Sequence, residues 1–363
     1  MMEMRIPLSS PDIAESDIEA VTAVLRTPRL SIGPKMAEFE EAVAGYVGAA
    51  HGVAVSSGTA GLHLGLLALG IGEGDEVILP SFTFLAAAHA VLYVRARPVF
   101  VDIDRESLNL DPARIERAVT PRSRAILAVH TFGRPAAMGP ILEIARRHGL
   151  AVIEDACEAI GAEYRGRRAG GMGDIGVFGF YPNKPVTTGE GGMVATSRPD
   201  LAAAMRALRN QGRRESDGWL DHELLGYNYR LSEINCALGV AQMRRLDAIL
   251  DRRAQLANKY CERLRDVPGV TLPALTMADG RVCWFVFVIR VAHRDAVCRR
   301  MAARGIGCAR YFAPVHRQPL YAPYAGADLP VTDEAAACTL ALPFFNGLTD
   351  SQIDEVCDCL RKT

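Results

Sequence analysis

The sequence predicts an α/β fold: a large domain on a mostly parallel sheet, followed by a smaller α+β domain. Three observations carry this. Strand and helix signals alternate from residue 50 to about residue 200, with short turns between them. A helical stretch over residues 231–265 follows, with Leu231, Ile234, Leu238, Ala241, Leu246, Ile249 and Leu250 at helical spacing. Pro268-Gly269 then breaks the chain, and 363 residues exceed what one ordinary core needs. The boundary is placed to give domains 1–248 and 249–363.

Each element has a local reason. Val53-Ala54-Val55 is a short buried strand, and Ser56-Ser57-Gly58 turns it into a helix over 59–69 that stops at Gly70. Gly72-Glu73-Gly74-Asp75 turns into a strand over 76–79. A helix over 84–94 and a strand over 98–101 follow. Asp111-Pro112 opens the next helix, aspartate as cap and proline in the first turn. A strand over 125–129, a helix over 139–148 and a strand over 150–153 lead to Glu154-Asp155. An apolar run from Gly176 to Tyr181 ends at Pro182-Asn183-Lys184, followed by Thr187-Thr188 and a glycine-rich turn. After the break, a strand over 283–291 and helices over 295–304 and 350–360 make the small domain.

Bulk properties exclude several roles. A net charge of −1 lacks the basic excess that nucleic acid or a membrane surface would attract. No run of about 18 apolar residues is present, and the first residues show no signal-peptide pattern, so a cytoplasmic protein is expected. Nine scattered cysteines without a CxxC pair read as reduced thiols; no metal site is expected.

Chemistry collects beyond strand ends in such sheets. Lys184 follows a buried strand, where desolvation would favour a nucleophilic amine; by itself such a lysine is more often a solvated surface charge. Ser57, Gly58 and Thr59 open a helix whose free N–H groups suit a phosphate, or form an ordinary N-cap. Asp155 is a candidate partner for a protonated pyridine nitrogen, or an ion-pair partner or strand cap. Phe84 offers a ring to stack on a flat cofactor, while Phe82 reads as core.

Taken together, SSGTAGLHLGLLALGIGEGDEVILPSFTFLAAA, VHTFGRPAAM, VIEDACEAIGA, GDIGVFGFYPNKPVTTGEGGMV, LRNQGR and LGYNYRLSEINCALG resemble the DegT/DnrJ/EryC1/StrS sugar aminotransferases. The resemblance implies a fold-type-I enzyme with a seven-stranded sheet and pyridoxal 5'-phosphate as cofactor, passing through the pyridoxamine form. Lys184 would carry the covalent link to the cofactor, and Asp155 would pair with the ring nitrogen. Phe84 would stack on the ring, and Ser57, Gly58 and Thr59 would hold the phosphate. Asn228 would reach the phosphate of a neighbouring subunit, making a homodimer with shared sites. Two positions depart from the pattern. Gly179 stands where the family often has a phosphate-binding serine, and Glu158 where it commonly has glutamine.

The implied reaction moves an amino group from glutamate to a nucleotide-linked ketosugar, a 4-keto-6-deoxyhexose, with Lys184 as base and then acid. A 3-keto sugar and a keto-cyclitol are alternative acceptors. A sugar dehydratase on the same scaffold would have histidine in place of Lys184. A non-catalytic sensor would bring a DNA-binding module, for which no segment is spare. Around the substrate, Tyr311 and His316 border the expected sugar pocket, and Arg230 meets a diphosphate or an ion-pair partner at the dimer interface. His130 reads as cofactor support or as a structural histidine.

Overall fold

The computed structural model describes residues 4–213, 222, 224–326 and 328–361. Two helices, α1 (Glu15–Leu25) and α2 (Pro34–Val47), precede the first strand, β1 (His51–Val55). The alternation then runs α3 (Gly58–Ala68), β2 (Glu76–Pro80), α4 (Ala86–Tyr93), β3 (Arg97–Val101), α5 (Pro112–Ala118), β4 (Ser123–Val129), α6 (Met138–His148) and β5 (Ala151–Asp155). Short strands β6 (Glu163–Tyr164) and β7 (Arg167–Arg168) lead to β8 (Ile175–Gly179), β9 (Gly192–Thr196) and α7 (Pro199–Arg209).

The main sheet has seven strands in the order β1-β9-β8-β5-β4-β2-β3. Only β9 runs against the rest, pairing antiparallel with both β8 and β1. A parallel sheet must be covered on both faces. Alternate residues of β4 accordingly enter two clusters, Ile126 and Ala128 on one side and Ala125, Leu127 and Val129 on the other. The mostly parallel sheet flanked by helices is therefore as expected. The Asp111 side chain does cap α5, accepting from Ala113 N–H at 2.9 Å.

The expected long helix is two helices, α8 (Glu233–Arg244) and α9 (Leu246–Leu264). Arg245 interrupts them with φ −105° and ψ 0°, its guanidinium donating to Asp12 O and Asp17 Oδ2. Helix α9 links two cores: Leu246 and Leu250 pack with the sheet, whereas Leu256, Tyr260 and Leu264 pack in a second cluster. That second core lies around β10 (Val270–Thr271), β12 (Phe287–Val291) and β13 (Thr339–Leu342). The short strand β11 (Gly280–Arg281) instead pairs with β6. Helices α10 (Arg294–Ala303), α11 (Pro330–Cys338) and α12 (Asp350–Arg361) complete the chain. The strand expected to begin at residue 283 starts at Phe287; residues 283–285 form an irregular segment bordering the site.

Candidate functional site

Strands β1, β2, β4, β5 and β8 all end at one edge of the sheet, so the residues after them converge. A cavity of about 440 Å³ opens there. Ser57, Gly58, Thr59, Phe84, Asp155, Glu158, Lys184 and Tyr311 all line it.

Lys184 sits in a turn closed by its N–H donating to Tyr181 O at 2.9 Å. The threonine pair ties this loop down. Thr187 Oγ1 and Thr188 N–H both donate to Phe180 O, at 3.0 Å each. Gly189, at φ +79°, turns the chain back toward β9 in a conformation that side chains disfavour. The Lys184 side chain is 14% exposed; its Nζ lies 3.6 Å from Glu158 Oε1 and 3.8 Å from the centre of the Phe285 ring. A carboxylate and an aromatic face both attract an ammonium.

Glu158 is buried, and its Oε2 accepts from Phe132 N–H at 2.9 Å. Burial pushes its carboxyl above the ordinary range, and the Lys184 charge only partly opposes this. Asp155 ends β5, with Oδ1 accepting from Cys157 N–H at 3.1 Å. Behind it, Glu154 is fully buried and accepts from Gly170, Met172 and Gly173 N–H at 2.9, 2.6 and 2.6 Å. Burial would push the Glu154 carboxyl up, but bonding to His130 and these backbone donors brings it below the ordinary range. His130 has both ring nitrogens engaged within the protein. Its Nδ1 accepts from Ala136 N–H at 3.0 Å, so the proton sits on Nε2 and faces Glu154 Oε2 at 2.9 Å.

At the other end of the cavity, Ser57 Oγ accepts from Ala60 N–H and Ser57 O from Gly61 N–H. The Gly58 and Thr59 amides precede these bonds and have no place in the helix ladder. Residue 58 favours glycine: a Cβ there would lie 2.6 Å from Cys157 Sγ, which would have to move. The thiol is half-buried, and its desolvation holds its pKa well above the ordinary value.

These groups fit pyridoxal phosphate: an amine for its aldehyde, a carboxylate for its ring nitrogen, and helix-terminal amides for its phosphate. Asn183 Oδ1 also lines the cavity, buried with no hydrogen-bond partner among the described residues. Phe84 stands at the mouth, 59% exposed. Phe82 is core, packed edge-on against Phe132 and Phe312.

Three expected residues lie outside the cavity lining. His316 is buried behind it, its Nδ1 2.7 Å from Ser81 Oγ and its Nε2 3.4 Å from Asp333. The expected hydrogen bond from His316 to sugar is thus met by a ring already engaged within the protein. Arg230 is half-buried and donates to Asn210 Oδ1 at 3.1 Å. Asn228 is exposed, paired through its backbone with Asn210. Residues that sequence reasoning missed come from the chain beyond α9 and from loops that follow the main-sheet strands. Phe285 and Phe312 carry no local motif, while Asn183 and Cys157 adjoin Lys184 and Asp155 and were within reach.

The model of the DegT/DnrJ/EryC1/StrS aminotransferase family matches residues 11–361. GDP-perosamine synthase of Caulobacter vibrioides is 42% identical, over 97% of this chain and 96% of its own length. The spore coat polysaccharide biosynthesis protein SpsC of Bacillus subtilis is 38% identical, over 98% and 96%. Among solved structures, DesV of S. venezuelae is 40% identical with a TM-score of 0.91, covering 96% of this chain and 94% of that one.

Proposed function

We propose, for a chain that belongs to the DegT/DnrJ/EryC1/StrS aminotransferase family, the transfer of an amino group from L-glutamate to a nucleotide-linked 4-keto-6-deoxyhexose. The chain is a sugar aminotransferase with the fold-type-I architecture, and its chemistry depends on pyridoxal phosphate. The observation that carries the finer reading is the meeting of Lys184, Asp155 and the α3 N-terminus on one cavity. The relative named for a GDP-linked sugar supports a nucleotide-sugar acceptor. The relative named for spore coat polysaccharide supports a role in cell-surface polysaccharide biosynthesis, with secondary metabolism as the second setting.

In this reading Lys184 anchors the cofactor, Asp155 holds its ring nitrogen, and Gly58 and Thr59 hold its phosphate with Ser57 as helix cap. Bound pyridoxal phosphate supplies an electron sink that acidifies the C–H beside the exchanging nitrogen. Lys184 Nζ takes the α-proton of the amino donor. In the second half-reaction it delivers a proton to the sugar carbon that receives nitrogen. Phe285, Tyr311 and Phe312 wall the cavity and keep water from that path.

The working unit in this reading is a homodimer, with Asn228 completing the partner's phosphate site; its exposure on this chain supports that role. The proposed division into 1–248 and 249–363 falls inside α9, shortly before Leu250, which still packs with the sheet, and before Leu256, which packs in the second core. Nine free thiols suit a reducing cytoplasm, and no helix among the described residues is long and apolar enough to cross a membrane. The test is a panel of nucleotide-linked 3-keto and 4-keto sugars and a keto-cyclitol, assayed with glutamate. Turnover confined to 4-keto-6-deoxyhexoses is expected. Turnover only with another acceptor class, or with none, overturns the assignment.

A further inference from the structure

We infer that Arg253, 3% exposed on α9, is a positioning residue that holds the Phe285 ring over the Lys184 amine. The inference rests on reading Lys184 as the cofactor-linked amine. Arg253 Nε donates to Trp284 O and Nη2 to Phe285 O, each at 2.8 Å. Nη2 also reaches Phe344 O at 3.5 Å, and Nη1 donates to Asn346 Oδ1 at 3.2 Å. The guanidinium lies 5.0 Å from the centre of the Phe344 ring. No carboxylate forms an ion pair with it among the described residues. Asp12 acts from behind, accepting from Asn346 Nδ2 at 2.8 Å.

Burying a cation on carbonyl dipoles alone is costly. Burial pushes the Arg253 pKa down to about 10, which still leaves it charged at neutral pH. What this arrangement secures is the segment 283–285. Trp284 has φ +54°, a conformation unfavourable to a bulky side chain and stable only when its surroundings hold it. Cys283 N–H donates to Gly133 O at 3.0 Å, and Cys283 Sγ to Glu158 O at 3.1 Å. Between this anchor and the Arg253 fork, Phe285 is placed with its ring 3.8 Å from Lys184 Nζ. The chain of contact is short: guanidinium, two carbonyls, one ring, one amine. A lysine at 253 keeps the charge but loses the planar fork that serves neighbouring carbonyls together.

The test is a double-mutant cycle on the full-length holoenzyme with Arg253→Lys and Phe285→Leu. Misplacing the amine lowers kcat about tenfold, with the KM for ketosugar within about twofold. If Arg253 acts through Phe285, the double variant is about as slow as Phe285→Leu alone; multiplied effects overturn the inference. The second readout does not depend on Lys184. In a Trp219→Phe background, acrylamide quenching of Trp284 rises about twofold in Arg253→Lys, as the segment loosens. Unchanged quenching overturns the inference. Should Arg253→Lys not fold, Asn346→Ala removes one partner of the fork. It lowers kcat about threefold, and unchanged kcat counts against the clamp. Full turnover in Lys184→Ala would sink the underlying reading, whereas the quenching result tests the clamp itself.

Discussion

Lys184 Nζ lies 3.6 Å from Glu158 Oε1, with Glu158 buried and the Lys184 side chain half-buried in the lining of one cavity. Burial holds the Glu158 carboxyl above its ordinary value of 4.5. A carboxyl with a raised folded-state pKa contributes stability that is complete below 4.5 and lost as pH rises through the folded value. Glu158→Gln keeps an acceptor for Phe132 N–H without the charge. Thermal unfolding followed between about pH 4 and pH 8 is expected to show a decline in the parent that this variant lacks.

In the proposed function, Lys184→Ala removes both the covalent anchor and the proton carrier. Turnover is expected to fall by about 10³-fold or more, and the visible absorbance of lysine-bound cofactor to vanish. Absorbance spectra and a coupled glutamate assay check this. Normal turnover would falsify the assignment of Lys184.

Gly58→Ala puts a methyl group 2.6 Å from Cys157 Sγ, beside the amides assigned to the phosphate. Overpacking of this kind costs about 1–3 kcal/mol, so cofactor affinity is expected to drop about tenfold. Cys157→Ala in the same chain should restore it. Titration of the cofactor-free protein with pyridoxal phosphate measures both.

Gly179→Ser is the opposite case. Gly179 is on β8, and a Cβ there meets Cys157 Sγ at 3.4 Å and Cys157 Cβ at 3.5 Å, ordinary contacts. The fold should accept the serine, and its hydroxyl adds a donor at the cavity wall. One net hydrogen bond is worth about 1 kcal/mol, so cofactor affinity should rise about fivefold in the same titration.

Glu154→Gln breaks the buried cluster behind Asp155. It puts an amide among three backbone donors and the His130 Nε2–H, at a cost of about 3 kcal/mol. The Glu154 carboxyl lies below its ordinary value of 4.5, so its stabilisation is present above 4.5 and lost as pH falls through the folded value. Chemical unfolding at several pH values should show that the variant is weaker near neutrality and has a flatter acid limb.

The parallel sheet was legible because its strands and caps are local signals: Val53-Ala54-Val55, the Asp111 cap and the Glu154-Asp155 strand end all lie where expected. The α1 and α2 helices were missed before the alternation begins, and so was β9, which runs against the parallel pattern. The break at Arg245 was hidden because its cause is a tertiary contact with Asp12 and Asp17, far away in sequence. The amine, carboxylate and helix start of the site could be read for the same local reason. Phe285 could not, since its place over Lys184 depends on a segment fixed by α9 and the Phe344–Asn346 loop. His316 sits beside a lining segment in sequence, yet Ser81 takes its ring inward.

The cavity draws its walls from two sources. Lys184, Asp155, Gly58 and Thr59 stand on the ends of the main sheet, whereas Phe285, Tyr311 and Phe312 arrive from the chain beyond α9. Under the proposed function, reaction type and acceptor choice are thereby heritable as separate traits. On that proposal, substitutions along 311–312 would redraw the outline offered to an incoming sugar while the cradle beneath keeps its chemistry, so one scaffold could diversify its products without relearning its reaction.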